Sequence, residues 1–494
     1  MRKVLVANRG EIALRIVRAC RELGLESVAV YSEADRSAPH VMEAGEAYCI
    51  GPAPSAQSYL RADALIDVAR RAGCDAVHPG YGFLAERAFF ADAVEKAGLT
   101  FVGPPASAIA AMGDKTEARR RMVAAGVPVV PGIAEPLKDA AAARDAAAAF
   151  GYPVLLKAAA GGGGKGMRVV RDEAELARAF DAARHEAESA FGDGSIYLEK
   201  FLDRPRHIEI QVIADAHGSV LHLGERDCSV QRRHQKLIEE APSPALTPSL
   251  RGRMGETAVA AARAVGYRNA GTIEFLFQDG EFYFLEMNTR IQVEHPVTEL
   301  VTGIDLVQWQ LRVAAGEALP FEQDAIRLDG HAIECRITSE DPANGFLPST
   351  GRIVLLEMPG GPGVRWDGGI AEGVDVGLYY DPLLGKLIVH GPDRASAIDR
   401  MSRALAELRV VGVETSAPFH RRVMQEPDFR RGDVTIRYLD DHPELLGQEV
   451  SDDVLVRAAV AAALLEDATR ARRRAERIAP QTSGGSGWRD RGWR

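Results

Sequence analysis

Short apolar runs alternate with amphipathic segments over the first hundred residues of the chain. The run Val4–Ala7 predicts a buried strand, and Glu11–Leu23 predicts a helix because its apolar side chains recur at helical spacing up to Gly24. The same alternation predicts further strands and helices at Ser27–Tyr31, Leu60–Ala72, Ala76–His78 and Phe89–Ala97. Strands separated by helices predict βαβ units and a parallel sheet. Asn8–Glu11 lacks the glycine pattern of a dinucleotide-binding turn, which disfavours NAD binding.

The pattern changes from about Gly113 onward. Asp139–Phe150 predicts an alanine-rich helix, and Pro153–Ala158 predicts a strand after it. Alternating polar and apolar residues then predict antiparallel strands at His207–Ala214, Val220–Asp227, Ala270–Gln278 and Glu281–Asn288. A strand-rich region with Gly and Pro turns follows over about 330–440. Val454–Ile478 predicts one helix, apolar early and Arg-rich late, before a Ser/Gly linker.

Composition narrows the class of protein. The 494 residues are 46% hydrophobic and 26% charged, as in a soluble globular chain of about three domains. The net charge of -10 disfavours a sequence-independent nucleic-acid binder. The five cysteines form no C-x-x-C pair, so we expect reduced thiols in a cytoplasmic protein rather than disulfides or structural zinc. No apolar run is long enough for a membrane span or, at the N-terminus, for a signal peptide.

A run of four glycines, Gly161–Gly164, follows the predicted strand that carries Lys157. The run is not a P-loop, because Ala159 stands where the first glycine is needed and Gly166 replaces the Ser or Thr that holds magnesium. Glycine backbone N–H groups can approach phosphate oxygens closely. We therefore expect a loop that covers phosphates, and the alternative is an ordinary flexible surface loop.

A second group of residues has the chemistry of a metal site. Glu274 and Glu286 lie on strands joined by a turn at Asp279-Gly280, so hairpin register could bring their carboxylates together, with Asn288 on the same side. Two carboxylates and an amide oxygen suit Mg²⁺ bound with nucleotide phosphates. The alternative is a pair of edge-strand charges in solvent. We expect metal, because Glu286 stands among apolar residues, where an unpaired carboxylate is costly.

These residues resemble a known family. Lys115, Lys157, the run Glu199–Leu202 and the Glu274/Glu286/Asn288 set together are similar to an ATP-grasp ligase. Four segments resemble, more narrowly, biotin carboxylase: His78–Leu84, Arg206–Gln211, Arg232–Lys236 with Glu239–Pro242, and Glu286–Pro296. The resemblance runs in order from Lys3 to about Leu439, which is most of the chain.

The resemblance implies a mixed α/β and α+β architecture. This would be an ATP-grasp fold with a Rossmann-like N-terminal domain, a mobile lid and a strand-rich C-terminal domain. The implied domains are 1–112, 113–329 with the lid at about 130–201, 330–440, and a helical and flexible tail at 441–494.

The resemblance also implies a set of ATP contacts. Lys115 and Lys157 would contact the phosphates, and the backbone of Gly163 and Gly164 would close over them. The other implied ATP-binding residues are Glu199, Lys200, Phe201, Leu202, His207, Gln231, His234, Glu274, Leu276 and Glu286. Mg²⁺, or Mn²⁺, would bind to Glu274, Glu286 and Asn288.

The implied chemistry concerns bicarbonate and biotin. Glu294, expected between Arg290 and Arg336, would be the general base that removes the bicarbonate proton. Lys236 would contact bicarbonate or the γ-phosphate, and Arg290 would stabilise the enolate oxygen of biotin. Further contacts with bicarbonate or biotin are implied for Arg336, Gln292, Val293, Gly82 and Glu86.

The chain contains no Ala-Met-Lys-Met biotinylation sequence. We therefore expect a biotin carboxyl carrier protein and carboxyltransferase subunits on other chains, a homodimer, and no nucleic-acid or membrane partner. The expected function is ATP-dependent carboxylation of carrier-bound biotin by bicarbonate, through carboxyphosphate, as in acetyl-CoA carboxylase and fatty acid biosynthesis. The alternatives are the same subunit of a pyruvate or propionyl-CoA carboxylase, a carbamoyl-phosphate-synthetase-like ligase, and a non-catalytic nucleotide-binding paralogue.

Overall fold

The computed structural model describes residues 1–133, 136–158, 167–191, 194–447, 456 and 459–470. The chain divides into two compact units, Met1–Leu445 and Leu446–Arg494. In the second unit, 459–470 is helical, inside the predicted Val454–Ile478, and the rest of that prediction lies outside the described residues. Among the helices described, none combines the length and the apolar composition that crossing a bilayer requires.

The first hundred residues form the predicted parallel sheet and its helices. In chain order these are β1 (Lys3–Val6), α1 (Gly10–Glu22), β2 (Glu26–Ser32), α2 (Pro39–Glu43), β3 (Glu46–Gly51), α3 (Ala62–Arg71), β4 (Ala76–His78), α4 (Ala88–Lys96), β5 (Thr100–Phe101) and α5 (Ala106–Gly113). The strand order is β3-β2-β1-β4-β5, and every pair is parallel. Val4 and Val6 pack with α1 on one face, whereas Leu5 packs with α3 and α4 on the other. Burial on both faces explains why β1 is continuously apolar.

A small antiparallel sheet follows in the region predicted to be the lid. Its elements, preceded by α6 (Lys115–Ala124), are α7 (Ala140–Phe150), β6 (Val154–Ala158), β7 (Met167–Val170), α8 (Glu173–Phe191) and β8 (Ile196–Lys200). The sheet has its own apolar core, which includes Val154, Leu156 and Phe180. At its base the backbone N–H of Lys200 donates to the carbonyl of Pro131. A side chain at Gly132 would lie 2.8 Å from a backbone oxygen, so this close approach requires glycine.

The largest sheet holds most of the predicted site. Its first five strands are β9 (Arg206–Ala214), β10 (Val220–Arg232), β11 (Gln235–Ala241), β12 (Asn269–Gln278) and β13 (Glu281–Asn288). The helices in this part of the chain are α9 (Pro248–Ala264), α10 (His295–Thr302) and α11 (Leu306–Ala314). The pattern of polar and apolar residues did not predict β11. Its buried Glu239 and Glu240 are not typical of a strand that faces an apolar core.

The C-terminal region adds strands to the same sheet. Its elements are β14 (His331–Thr338), β15 (Glu340–Asp341), β16 (Leu347–Pro348), β17 (Gly351–Arg352), β18 (Leu355–Glu357), β19 (Val364–Gly368), β20 (Asp375–Val376), β21 (Leu383–Gly391), α12 (Arg394–Glu407), β22 (Arg409–Val411), α13 (Ala417–Val423), α14 (Pro427–Arg431) and α15 (Tyr438–Asp441). The order of the eight strands is β13-β12-β9-β10-β11-β14-β21-β19. Because β11 pairs with β14, one sheet continues through the region where the third domain is predicted to begin.

Candidate functional site

Four charged residues form one row across four neighbouring strands. Arg226 lies opposite Glu209, Glu209 lies opposite Glu274, and Glu274 lies opposite Glu286. Successive side chains of a strand point to opposite faces, so all four share one face of the sheet with His207. The other face enters an apolar core through Ile208, Ile210, Val212, Ile273 and Phe275.

Lys236 lies over this row and contacts three carboxylates. Its Nζ is 2.5 Å from Glu209 Oε2, 2.6 Å from Glu294 Oε1 and 2.8 Å from Glu274 Oε1. Burial alone would lower the pKa of Lys236. The three carboxylates have the larger, opposite effect and raise the pKa of Lys236 well above its usual range. The site therefore brings together a permanent ammonium group and three ionisable carboxyls at the centre of the sheet.

Glu294 is buried and uses both of its carboxylate oxygens. Oε1 contacts Lys236, and Oε2 accepts a hydrogen bond of 2.9 Å from Arg336 Nη2. Against the effect of burial, these two cations hold the pKa of Glu294 below its usual range, so the group is a carboxylate at neutral pH. Arg336 Nε donates in turn to Glu239 Oε1 at 2.6 Å.

Of the two arginines predicted to flank Glu294, Arg336 contacts it directly, whereas Arg290 interacts with it through charge without a direct pair. Arg290 Nε pairs with Glu86 Oε2 at 2.9 Å, and Arg290 Nη2 donates to Asn288 Oδ1 at 3.0 Å. Glu86, from the N-terminal region, supplies the carboxylate that pairs with Arg290. The cations that contact Glu294 are Lys236 and Arg336.

The loop predicted to lie near biotin is joined to this site. Glu86 Oε1 accepts from the backbone N–H of Thr289 at 3.2 Å, while Gly82 is exposed with φ +69°. The next residue, Phe83, also has a positive φ and stacks on Tyr59 with 5.1 Å between ring centroids. Val293, another predicted contact with bicarbonate or biotin, takes part in hydrogen bonding through its backbone. Its carbonyl oxygen accepts a hydrogen bond of 2.8 Å from Lys386 Nζ.

The predicted metal set is assembled by the register of the β12–β13 hairpin. Glu274 and Glu286 are direct cross-strand partners, as predicted, and Asn288 Nδ2 donates to Glu274 Oε1 at 2.8 Å. Like charges placed opposite each other destabilise a sheet unless a cation lies between them. Oxygen donors of this kind fit Mg²⁺. Partial burial of the carboxyl group, followed by the charge of Glu274, raises the pKa of Glu286, which is the shift that a divalent cation would reverse.

The apolar setting expected for Glu286 is wrong: the residue as a whole is exposed, although its carboxyl group is partly desolvated beside Glu274. The pairs Glu274–Glu286 and Phe275–Phe284 leave Leu285 as one extra residue in β13. Such a β-bulge reverses the alternation of side chains along the strand. Phe284 therefore faces the apolar core, and Glu286 faces the polar side with Glu274.

The predicted nucleotide contacts divide between the large sheet and the small one. His207 is buried, with Nε2 3.2 Å from Glu274 Oε2, and Leu276 is its cross-strand partner. Gln231 is buried near the end of β10, and His234 is exposed in the turn to β11 with φ +67°. Lys115 is exposed at the start of α6, where its charge acts on the pKa of Glu286.

In the small sheet, Lys157 of β6 forms an ion pair with Glu199 of β8. Lys200 Nζ donates to the carbonyl of Gly151 at 2.8 Å, and Phe201 and Leu202 are half-buried just after β8. The predicted phosphate-covering glycines, Gly163 and Gly164, lie outside the described residues.

Several buried polar residues of this site were not predicted from the sequence. They are Glu209, Gln211, Arg226, Thr272 and Glu239 on the same face of the sheet, and Thr298 on α10. The signal for two of them was available, because Glu209 and Gln211 alternate with isoleucine and valine in Ile208–Ala214, where every other residue is apolar. Arg226 gave no such signal, since its partners lie on other strands and helices.

Three groups of described residues place His, Cys or carboxylate ligand atoms close enough to share an ion. Two of them, His207/Glu209/Glu274 and Glu209/Cys228/Glu294, belong to this site, and the third is Glu426/Asp428/His442. A small antiparallel sheet, a row of three glutamates and one arginine with a lysine above it, and a carboxylate pair suited to Mg²⁺ define an ATP-dependent ligase of the ATP-grasp class.

Comparison with known proteins specifies the family. Residues 1–109 match the biotin carboxylase N-terminal domain, 114–322 match the carbamoyl-phosphate synthase L chain ATP binding domain, and 334–441 match the biotin carboxylase C-terminal domain. A pyruvate carboxylase subunit of Methanothermobacter thermautotrophicus is 56% identical over 89% of this chain and 90% of its own length. Biotin carboxylase of Haemophilus influenzae is 52% identical over 89% of this chain and 98% of its own length.

A solved structure agrees. The biotin carboxylase domain dimer of Hydrogenobacter thermophilus 2-oxoglutarate carboxylase, in complex with MgADP, ADP and bicarbonate, is 51% identical to this chain. Its TM-score is 0.82, over 91% of this chain and 99% of that one. The chain belongs to the biotin carboxylase family.

The predicted family, the ATP-grasp fold class and the ATP-dependent ligase activity are confirmed. The two flanking domain matches favour a biotin carboxylase over the carbamoyl-phosphate-synthetase-like alternative. The expected link to fatty acid biosynthesis stays a prediction, because relatives include subunits of pyruvate and 2-oxoglutarate carboxylases.

Proposed function

We propose that this chain carboxylates biotin on a separate carrier protein, with bicarbonate as the carbon source and ATP as the energy source. The observation that carries the proposal is the contact of Glu294 with both Lys236 and Arg336, which leaves a carboxylate base between two cations. An anion such as bicarbonate would bind to the same two cations. The base and the substrate would then share one pair of positive charges.

In the first step, a bicarbonate oxygen attacks the γ-phosphorus of ATP while the bond to the ADP oxygen breaks. Glu294 accepts the bicarbonate proton, and carboxyphosphate is formed. Lys236 and Arg336 move part of their contact from Glu294 to the substrate, which makes Glu294 more basic when it is needed. Mg²⁺ held by Glu274, Glu286 and Asn288 would neutralise negative charge on the phosphate oxygens.

In the second step, carboxyphosphate separates into CO₂ and phosphate. The phosphate takes the proton from the biotin ureido nitrogen, and that nitrogen forms a bond to the carbon of CO₂. Arg290 stabilises the enolate oxygen that develops on biotin. This role requires Arg290 to exchange part of its contact with Glu86 for biotin, and the loop with Gly82 lies beside it.

The nucleotide would lie between the lid and the large sheet. Lys115 and Lys157 would contact the phosphates, and Glu199–Leu202 would line the adenine. His207, Gln231, His234 and Leu276 would complete this pocket.

The domains proposed for this scheme are 1–112, 113–329 with the lid at about 130–201, 330–440, and the tail at 441–494. The partners would be a biotin carboxyl carrier protein and a carboxyltransferase, within a homodimer in the cytoplasm. The Hydrogenobacter thermophilus relative is a domain dimer, which supports the homodimer. The carboxyltransferase would select the final acceptor, such as acetyl-CoA, propionyl-CoA or pyruvate.

The direct test combines the purified chain with Mg²⁺, ATP, radiolabelled bicarbonate and free biotin. We expect acid-labile label on biotin, which requires all four components, and ADP release, which requires Mg²⁺, ATP and bicarbonate. ADP release without label transfer would contradict the proposal. Mass spectrometry of proteins that co-purify with the chain should identify the carboxyltransferase and thereby the acceptor.

A further inference from the structure

Arg226 is fully buried at the end of the row, opposite Glu209, and the sequence assigns it no role. Each of its guanidinium N–H groups has an acceptor. Nε donates to Glu209 Oε1 at 2.5 Å, and Nη1 donates to Gln211 Oε1 at 2.7 Å and to Thr298 Oγ1 at 2.9 Å. Nη2 donates to Gln292 Oε1 at 2.7 Å and to Thr272 Oγ1 at 3.2 Å.

A guanidinium group only donates hydrogen bonds, so every neighbour must turn an acceptor toward it. Gln292 therefore directs its carbonyl oxygen to Arg226 and its NH₂ group to the opposite side, where Nε2 donates to Glu274 Oε1 at 2.8 Å. The direction of this amide is set by chemistry, because the reverse orientation would place two donors against each other.

The same argument applies to Glu209. Its Oε1 is held by Arg226, so its Oε2 remains for Lys236 at 2.5 Å. Arg226 thus orients one residue beside the carboxylate base and anchors the ammonium that contacts it. Among the described residues, no hydrogen bond joins Arg226 to Glu294.

We propose that Arg226 is a positioning residue for bicarbonate: it orients the Gln292 amide and, through Glu209, the Lys236 ammonium toward the anion. The inference rests on the proposed function and extends it to a residue that does not touch substrate. A planar fork with five donors is needed, because a lysine at this position carries the charge on one nitrogen and cannot reach all five acceptors.

The test compares Arg226→Lys, Arg226→Gln and Glu209→Gln in the full chain, with bicarbonate-dependent ADP release as the assay. For Arg226→Lys we expect the KM for bicarbonate to rise by about tenfold or more, the size expected when a hydrogen bond to a charged ligand is misaligned. The KM for ATP should stay within about twofold, since the nucleotide contacts lie elsewhere. Glu209→Gln keeps its shape and should raise the bicarbonate KM in the same direction.

The two substitutions of Arg226 also separate its shape from its charge. Arg226 is one of the cations that keep the pKa of Glu294 low. The acid limb of the pH–rate profile should therefore move to higher pH in Arg226→Gln, which removes the charge, and much less in Arg226→Lys, which keeps it. A merely structural arginine would change the folded fraction without moving this limb.

Arg15→Lys is the matched control, because Arg15 is another buried arginine, and its carboxylate partners Glu299 and Asp305 lie outside this site. It should change neither KM. The proposal is overturned if the control raises the bicarbonate KM as much as Arg226→Lys does, or if folded Arg226→Lys keeps a wild-type bicarbonate KM. If the Arg226 variants do not fold, an unchanged bicarbonate KM in Glu209→Gln overturns it. A wild-type chain without bicarbonate-dependent ADP release would instead contradict the proposed function.

Discussion

Both faces of the eight-stranded sheet bury side chains of β9, yet the two faces are built from opposite chemistry. On one face Ile208, Ile210 and Phe275 pack under α9 with no polar atoms to satisfy. On the other face Glu209 and Arg226, equally buried, are held by hydrogen bonds and ion pairs. One strand supplies both faces because its side chains alternate.

The two faces contribute differently: one stabilises the fold, and the other positions charged groups. Burial of apolar side chains contributes about 1.5–3 kcal/mol each to folding. Buried ion pairs contribute little net stability, because desolvation offsets most of their attraction, but they place charged groups within narrow limits of position. The apolar face therefore stabilises the sheet, and the polar face uses that rigidity to hold the base, the lysine and the metal-type carboxylates.

The largest expected effect comes from the polar face. Glu294→Gln should reduce bicarbonate-dependent ADP release by a factor on the order of 10² or more, because a general base is lost. ATP binding should be preserved, since the amide has the same shape and lies away from the nucleotide. Steady-state kinetics with calorimetric ATP titration would measure both, and near-wild-type turnover would rule out Glu294 as the base.

A substitution on the apolar face should reduce the stability of the protein and leave its kinetics unchanged. Phe275 is fully buried and packs edge-to-face on Phe282 at 5.4 Å between centroids. Phe275→Ala should lower the free energy of unfolding by about 3–5 kcal/mol through lost burial and a cavity. Denaturant unfolding would measure it, and the folded fraction should keep wild-type KM values. A kinetic defect without loss of stability would show that the two faces are not separable in this way.

A third prediction concerns a buried carboxyl of the polar face that lacks a partner. Neither oxygen of Glu334 has a hydrogen bond, and burial raises its pKa well above the ordinary 4.5. The unfolded chain ionises near that ordinary value while the folded chain stays protonated, so wild-type stability falls with rising pH. Relative to Glu334→Gln, it should fall by up to about 1.4 kcal/mol per pH unit above pH 4.5.

Glu240 offers a matched control with the opposite sign. It is also buried, but against the effect of burial His331 and Arg394 lower its pKa to about 2. The stability that it adds relative to Glu240→Gln should be present above pH 4.5 and lost as the pH falls toward 2. Unfolding measured from pH 2 to 8 would compare both variants, and parallel pH profiles for Glu334→Gln and wild type would refute the assignment.

The smallest expected effect is at the exposed end of the row. Glu286→Gln should raise the Mg²⁺ concentration for half-maximal rate by about tenfold, because one anionic ligand is lost. Glu281→Gln, an exposed carboxyl on the same strand, is the control and should leave the titration unchanged. Equal Mg²⁺ titrations for Glu286→Gln and the control would identify Glu286 as a carboxylate without a metal.

Local patterns predicted the elements that depend on neighbours in the chain. The apolar run at Val4–Ala7, the alternation through His207–Ala214 and the hairpin at Glu274 and Glu286 all appear in the structure with small shifts at their ends. These features follow from side-chain periodicity, which is a property of the sequence itself. The resemblance of several short motifs added the family.

The tertiary structure alone decided which charges meet. Glu86 forms an ion pair with Arg290, and a bulge at Leu285 turns Glu286 to the polar side. Arg226 donates hydrogen bonds to acceptors from three other parts of the chain. These partners lie between about 15 and 200 residues apart in the sequence. Their contacts depend on strand order and register, which the packing of the whole sheet determines and no local pattern of residues records.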